Sequence, residues 1–229
     1  MTRLARDVCI TSHMFFSGNG DQLEIGVDEA GRGCMAGPVC AGAVVWNPGV
    51  SSSDIKDSKK MSAKKREVVA EYIYKNATAC GVGVAWQNEI DSTNIEKATH
   101  LAMHRAIDEV VQKLAVPEAE IIDKLLLVVD GNRFTPYLTS VGFISHECVV
   151  KADDKFVGVS AASILAKVKH DQLVRDYCTR EKIFSEQYGW LSNMCYGTKK
   201  HMDAIRLYGA TPFHRRSFGI CKTIHDNRG

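Results

Sequence analysis

Two adjacent carboxylates, Asp28 and Glu29, end the apolar run Ile25-Gly-Val and stand just ahead of Gly31-Arg32-Gly33 and Gly37-Pro38-Val39. Negative charge is thereby concentrated beside backbone without side chains and beside one guanidinium. Asp130 and Asp153 each follow a further apolar stretch, with Asp154 next to the second of them. Four carboxylates in one pocket need cations. One like-charge pair about 4 Å apart costs about 4 kcal/mol at an effective dielectric near 20, and several such pairs do not all stay ionised near neutral pH unaided. With only oxygen donors on offer, Mg2+ or Mn2+ is favoured over zinc, and two such ions suit in-line phosphodiester hydrolysis. Taken singly, each acid reads first as a turn residue or a helix cap. The glycine context of Asp28-Glu29 tips that pair toward a metal site.

These residues can cooperate only if the surrounding elements bring them together. Residues 24–27, 39–46, 79–86 and 125–129 read as strands, with a shorter one at 147–150. Helices are expected from the Ser62 cap to 75, with Val68, Val69, Tyr72 and Ile73 as the apolar side, and at 92–114, 160–180 and 199–208. Each acid then closes a strand, where ligands gather in α/β sheets. Neighbouring strand residues face opposite ways, so Asp28 and Glu29 share one site only if the chain bends there, which Ala-Gly-Arg-Gly permits. Strands followed by helices, with antiparallel pairing early, predict a mixed α/β sheet with a helical C-terminal appendage.

The 229 residues are 45% hydrophobic and 24% charged, enough for one substantial core and against wholesale disorder. Net charge is only +2, but it is unevenly spread: residues 1–150 carry 15 Lys and Arg against 19 Asp and Glu, and residues 151–229 carry 14 against 8. The C-terminal third fits either a phosphate-tracking surface or a solvated basic face. Eight cysteines are scattered without a CxxC pair or zinc spacing, which predicts reduced thiols in a cytoplasmic protein. No apolar run approaches the roughly 20 residues of a membrane span. Residues 1–22 read as a loosely ordered extension.

Six motifs in order give the chain a close resemblance to ribonuclease HII of the bacterial type, a type 2 ribonuclease H. They are Gly26-Val-Asp28-Glu29-Ala-Gly31-Arg32-Gly33 with Gly37-Pro38-Val39, Asp57-Ser58-Lys59-Lys60-Met61-Ser62, Val129-Asp130-Gly131-Asn132, Ser160-Ala-Ala-Ser163-Ile-Leu-Ala-Lys167-Val168, Tyr188-Gly189-Trp190, and Gly209-Ala-Thr-Pro-Phe-His214-Arg215-Arg216-Ser217-Phe218. The resemblance spans about residues 23–222. It implies an RNase H-like mixed five-stranded sheet flanked by helices, a catalytic domain at 23–186 and a substrate-binding helical appendage at 187–229. It further implies a monomeric enzyme that hydrolyses the RNA of RNA/DNA hybrids and nicks 5′ of single ribonucleotides in duplex DNA, leaving 3′-hydroxyl and 5′-phosphate. The family's metal acids fall on Asp28, Glu29, Asp130 and Asp153, holding two Mg2+ or Mn2+ ions. Gly31, Arg32 and Gly33 would read the 2′-hydroxyl and the RNA–DNA junction, and Tyr196 would stack on the deoxyribose beyond it. Lys59, Ser163 and Lys167 would hold backbone phosphates.

Three departures qualify the carry-over. Cys195-Tyr196-Gly197-Thr198 replaces the family's Gly-Tyr-Pro-Thr, which predicts a looser tyrosine backbone. Lys151-Ala-Asp153-Asp154 replaces Lys-Gly-Asp-Ser and leaves Asp154 as a competitor for the fourth ligand. Residues 133–148 form a longer stretch than the family's, expected as a surface-loop insertion. His214 reads as structural, Arg215 and Arg216 as pins of the C-terminal segment or nucleic-acid contacts, and Cys34 as a packing residue. Two rival readings are a ribonuclease HIII-like hybrid nuclease without junction preference and a non-catalytic hybrid-binding protein.

Overall fold

The computed structural model describes residues 15–16, 22–55 and 61–226. Along the chain come β1 (Leu23–Ala30), β2 (Val39–Val45), α1 (Ala63–Asn76), β3 (Ala79–Ala85), α2 (Gln87–Ser92), α3 (Ile95–Leu114) and the single turn α4 (Ile121–Lys124). Then follow β4 (Leu125–Asp130), the two-residue strands β5 (Leu138–Thr139) and β6 (Gly142–Phe143), β7 (Ser145–Val149) and α5 (Val157–Arg180). Four helices complete it: α6 (Lys182–Tyr188), α7 (Trp190–Asn193), α8 (Lys199–Tyr208) and α9 (Gly219–Asp226). Five strands make one mixed sheet in the order β3-β2-β1-β4-β7, antiparallel from β1 to β3 and parallel across β1, β4 and β7. The expected five-stranded α/β sheet is therefore present.

Strand alternation divides the core between two faces. Ile25, Val27, Leu125, Leu127 and Val129 pack with α3 residues such as Ala102, Ala106 and Ile107. On the other face Val44 packs with α5 and with Val69 and Ile73 of α1. Residues 160–166 of α5 are buried without a break, since that half of the helix lies between the sheet and α1. The approach is at backbone range: a Cβ on Gly26 would fall 2.1 Å from Gly158 C, and one on Gly42 2.2 Å from the Ala162 carbonyl oxygen.

Several expectations need correction. The first strand does not stop at residue 27 but continues to Ala30, because β2 goes on pairing with it as far as Ala30↔Cys40. The expected 92–114 helix is present but begins three residues later, at Ile95, because the Asn94 side chain accepts from Lys97 N–H and caps α3 there; Ser92 instead ends the short α2. On α1, Val68 is 60% exposed while Arg66 is buried, so that helix turns a guanidinium inward. Residues 133–148 are not a surface insertion alone: they hold the β5–β6 hairpin and most of β7, and Phe134 and Tyr137 pack on the core. Lys59, Lys60 and most of the expected N-terminal extension lie outside the described residues. Among the described residues no helix is long and apolar enough to cross a membrane.

The C-terminal helices surround a second core of Tyr188, Trp190, Ile205 and Phe213, packed on Cys34, Met35 and Ala36 between β1 and β2. A chain of buried polar contacts runs through it. Thr211 N–H donates to His214 Nδ1 at 2.9 Å, so the His214 proton sits on Nε2 and faces His201 Nε2 at 3.1 Å. That nitrogen also accepts from Trp190 Nε1 at 2.9 Å, and His201 Nδ1 donates to the Tyr196 carbonyl at 3.0 Å. Each imidazole must be neutral to play both parts. Burial, reinforced by His201, pushes the His214 pKa down to about 3, and burial lowers His201 as well.

A base whose folded pKa is depressed gives stability that is complete above its unfolded value and lost as pH falls below about 6.5. We predict that acidification from pH 7.5 to 5.0 costs the wild type about 2 kcal/mol more than it costs His214→Gln. Urea unfolding of both proteins at both pH values measures this difference, because the acids of the sheet titrate alike in each. Equal pH sensitivity would contradict the neutral-imidazole assignment.

Candidate active site

The pairing of β1 with β4 ends at Val27↔Val129, whereas β1 stays paired with β2 to Ala30. Past that point the two parallel strands part, and Asp28, Glu29 and Asp130 stand where they separate. This is the crevice beyond the carboxyl ends of strands in which α/β sheets bind ligands. No bend at residues 28–29 is needed, because the cavity opens along the free edge of β1. It measures about 260 Å3 and is lined by Asp28, Glu29, Ala30, Gly31, Arg32, Gly33, Asp130, Ser163, Lys167 and Tyr196.

Asp28 is 5% exposed, accepts the Glu29 N–H at 2.7 Å and is bonded by the Ser163 hydroxyl from α5. Burial pushes its carboxyl well above the ordinary range, and the negative charges of Glu29 and Asp130 push it further. Glu29 is likewise raised by burial, with Arg32 opposing the shift from 3.4 Å. Asp130 accepts the Ala152 N–H at 2.7 Å, which ties β4 to the turn at Ala152–Asp154. Asp153 lies on that turn, 5% exposed, and is not among the cavity-lining residues; Asp154 beside it is exposed. Asp153 thus sits within a 3-10 turn rather than closing a strand, as β7 ends at Val149.

The donor set fits a hard divalent cation. Three carboxylates and the hydroxyls of Ser163 and Tyr196 line the cavity, without histidine or cysteine, and burial holds two of the acids above their ordinary pKa. Among the described residues no three Asp, Glu, His or Cys side chains already converge as a coordinating group. Glu29 instead leans on Arg32, 3.4 Å away.

The loop facing the acids is fixed from below. Arg215, with no exposed surface, donates from Nη2 to the carbonyls of Gly31 at 2.7 Å and Pro38 at 2.8 Å, from Nη1 to Arg32 at 2.9 Å, and from Nε to Gly37 at 2.9 Å. Of its two expected roles the structural pin is the one observed. Gly31 has φ +85°, and a Cβ there would fall 2.3 Å from the His170 ring, so this position needs glycine twice over. At Gly33 the nearest atom to a Cβ is Tyr196 Cε1 at 4.0 Å, which leaves the cavity wall open.

Tyr196 is held more firmly than its glycine neighbour suggested. Its N–H donates to Asn193 O at 2.9 Å, and its carbonyl accepts from Thr198 N–H at 2.8 Å and from His201. Cys195, where the family has glycine, keeps φ at 65°, a left-handed conformation that costs a side-chain-bearing residue about 1–2 kcal/mol. Bonds from Cys195 N–H to Asn193 Oδ1 and from Met35 N–H to Cys195 O, 2.9 and 2.8 Å, hold it there. Ser163 and Lys167 share one face of α5 as their spacing requires, although Ser163 is engaged with Asp28. Lys167 donates to Asp171 Oδ1 at 2.7 Å and lies 5.1 Å from the Tyr196 ring centroid. His170 and Asp171 were not singled out from the sequence; the i, i+4 step from Lys167 to Asp171 was the available signal. Cys34 and His214 are fully buried, in keeping with structural roles.

The chain resembles known proteins along most of its length. The family model described as Ribonuclease HII matches residues 25–221. A ribonuclease HII of Parabacteroides distasonis is 44% identical over 199 residues, covering 87% of this chain and 91% of that protein. Among solved structures, ribonuclease H2 from Pyrococcus horikoshii OT3 aligns with TM-score 0.67 at 22% identity, covering 89% of this chain and 97% of the other. Bst-RNase HIII in complex with Mn2+ aligns with TM-score 0.63 at 20% identity, covering 91% of this chain and 70% of the other. The chain belongs to the ribonuclease HII family.

Proposed function

We propose that this ribonuclease H, an endoribonuclease of RNA/DNA hybrids by family, also recognises RNA–DNA junctions. It would nick 5′ of a single ribonucleotide in duplex DNA to begin its excision, as a cytoplasmic monomer. The observation that carries this reading is the shared cavity: Asp28, Glu29 and Asp130 line it together with Gly31-Arg32-Gly33 and Tyr196. Asp28, Glu29 and Asp130 would hold divalent ions, with Asp153 joining them from its turn on the Asp130 side. Mg2+ or Mn2+ bound there would supply Lewis-acid stabilisation of charge developing on the phosphodiester.

The remaining residues act on the nucleic acid. The open wall at Gly33 and the Arg215-held backbone of residues 31–33 let peptide groups approach a ribose, and the 2′-hydroxyl is what marks RNA there. Arg32, half exposed and paired only loosely with Glu29 at 3.4 Å, can turn toward a strand. The Tyr196 ring, 37% exposed, offers a flat face for the adjoining deoxyribose. Lys167 presents its charge to backbone phosphate, and Lys59 is proposed for the same task.

Duplex DNA carrying one ribonucleotide, incubated with Mg2+ or Mn2+, should be nicked on the 5′ side of that residue, leaving 3′-hydroxyl and 5′-phosphate. Strong cutting of long hybrids with weak cutting at the lone ribonucleotide would favour a ribonuclease HIII-like reading instead. Asp28→Asn should lower the rate by about three orders of magnitude, equivalent to about 4 kcal/mol; undiminished nicking would remove the acids from the mechanism. Arg32→Ala should bind Mn2+ as the wild type does while losing the preference for a junction over plain hybrid. A retained preference would displace the loop from its assigned role.

A further inference from the structure

Lys167 lines the same cavity as Asp28, Glu29 and Asp130, but its ammonium is anchored on a residue outside that lining. Asp171, 5% exposed, receives Lys167 Nζ at 2.7 Å and His170 Nδ1 at 3.0 Å on one oxygen, while Arg66 Nη1 faces the other at 3.5 Å. The Tyr196 ring lies 5.1 Å from the ammonium. One buried carboxylate thereby fixes a flexible cation at the margin of a carboxylate cluster. A lysine ammonium is a compact charge on a four-carbon stem. Released from Asp171, it would be drawn to the strongest negative potential within reach, which in this cavity belongs to the acids. An ammonium settled among them would compete directly with a divalent ion.

We propose that Asp171 is a positioning residue that tethers Lys167 away from Asp28, Glu29 and Asp130, keeping those acids open to divalent ions and the lysine turned toward nucleic acid. This rests on the metal-site reading above. The two positions are one helical turn apart on α5, so the tether is built into the helix that also supplies Ser163.

The test is Mn2+ binding to the substrate-free full chain, followed by calorimetry at fixed pH and ionic strength. Asp171→Asn, which keeps the side-chain volume and removes the charge, should weaken Mn2+ binding about tenfold. Adding Lys167→Met to Asp171→Asn should restore affinity to within about twofold of wild type, since the competing ammonium is gone. Wild-type affinity in Asp171→Asn overturns the tether, as does a double variant no better than the single one, which would mean that the loss is general disorder. If thermal melting shows Asp171→Asn unfolded, Asp171→Ser takes its place and is read the same way. A wild type that binds no Mn2+ would overturn the metal-site reading itself and the tether with it, an outcome distinct from the other two.

Discussion

The buried guanidinium of Arg215 is the contact on which the functional end of this molecule depends. It reaches residue 31 from a position 184 residues later and spends its donors on four main-chain carbonyls between Gly31 and Pro38. Hydrogen bonds from a charged donor are worth about 1.5–3 kcal/mol each, against an effective desolvation penalty of several kcal/mol for the ion. The balance is favourable only because the carbonyls converge. The segment between β1 and β2 therefore has one shape when the C-terminal segment is in place, and no reason to keep that shape otherwise. Arg215 N–H and Met35 O, 2.9 Å apart, extend the same dependence to the backbone.

Around that fixed segment the acids are arranged by where strands stop pairing rather than by a bend in the chain. β1 loses β4 as a partner after Val27 but keeps β2, so two consecutive residues reach one cavity from a regular strand. Burial raises the pKa of both, Glu29 adds to the shift at Asp28 and Asp130 adds to both, a cost that a bound cation would offset. The rest of the lining is of another kind, with Arg32 and Lys167 supplying positive charge and the Tyr196 ring a flat surface.

Much of this was readable in the residues. Segments such as β4 and α8 came within a residue of their expected limits because one physical pattern dominated each. Ser62 marked the start of α1 through its side chain, and three of the four expected acids proved to line one cavity. What escaped was decided by distant partners. No sequence pattern announces that Arg66 turns inward, where it donates to the Met61 carbonyl at 3.0 Å and faces Asp171 of another helix at 3.5 Å. The extra length of β1 depends on β2, and the start of α3 at Ile95 rather than at residue 92 depends on Asn94 acting as its cap. Asp153 was expected to close a strand, whereas its burial is set by a 3-10 turn that no sequence period encodes. The firmness of Tyr196 was hidden for the same reason, as its carbonyl is held by a histidine five residues on.

The seam between α5 and the sheet has a consequence for how the molecule tolerates change. Where a helix rests on a sheet through long side chains, small errors are absorbed by rotamer changes; at Gly26, Gly42 and Gly158 the two backbones meet with nothing between them. The contact acts as a datum surface, from which the heights of Ser163, Lys167 and Asp171 above the strand ends are set by helix pitch alone. A rigid datum leaves no adjustment downstream. Residues that never approach substrate thereby inherit the tolerances of those that do, and drift in this family should be as restricted along the seam as at the carboxylates.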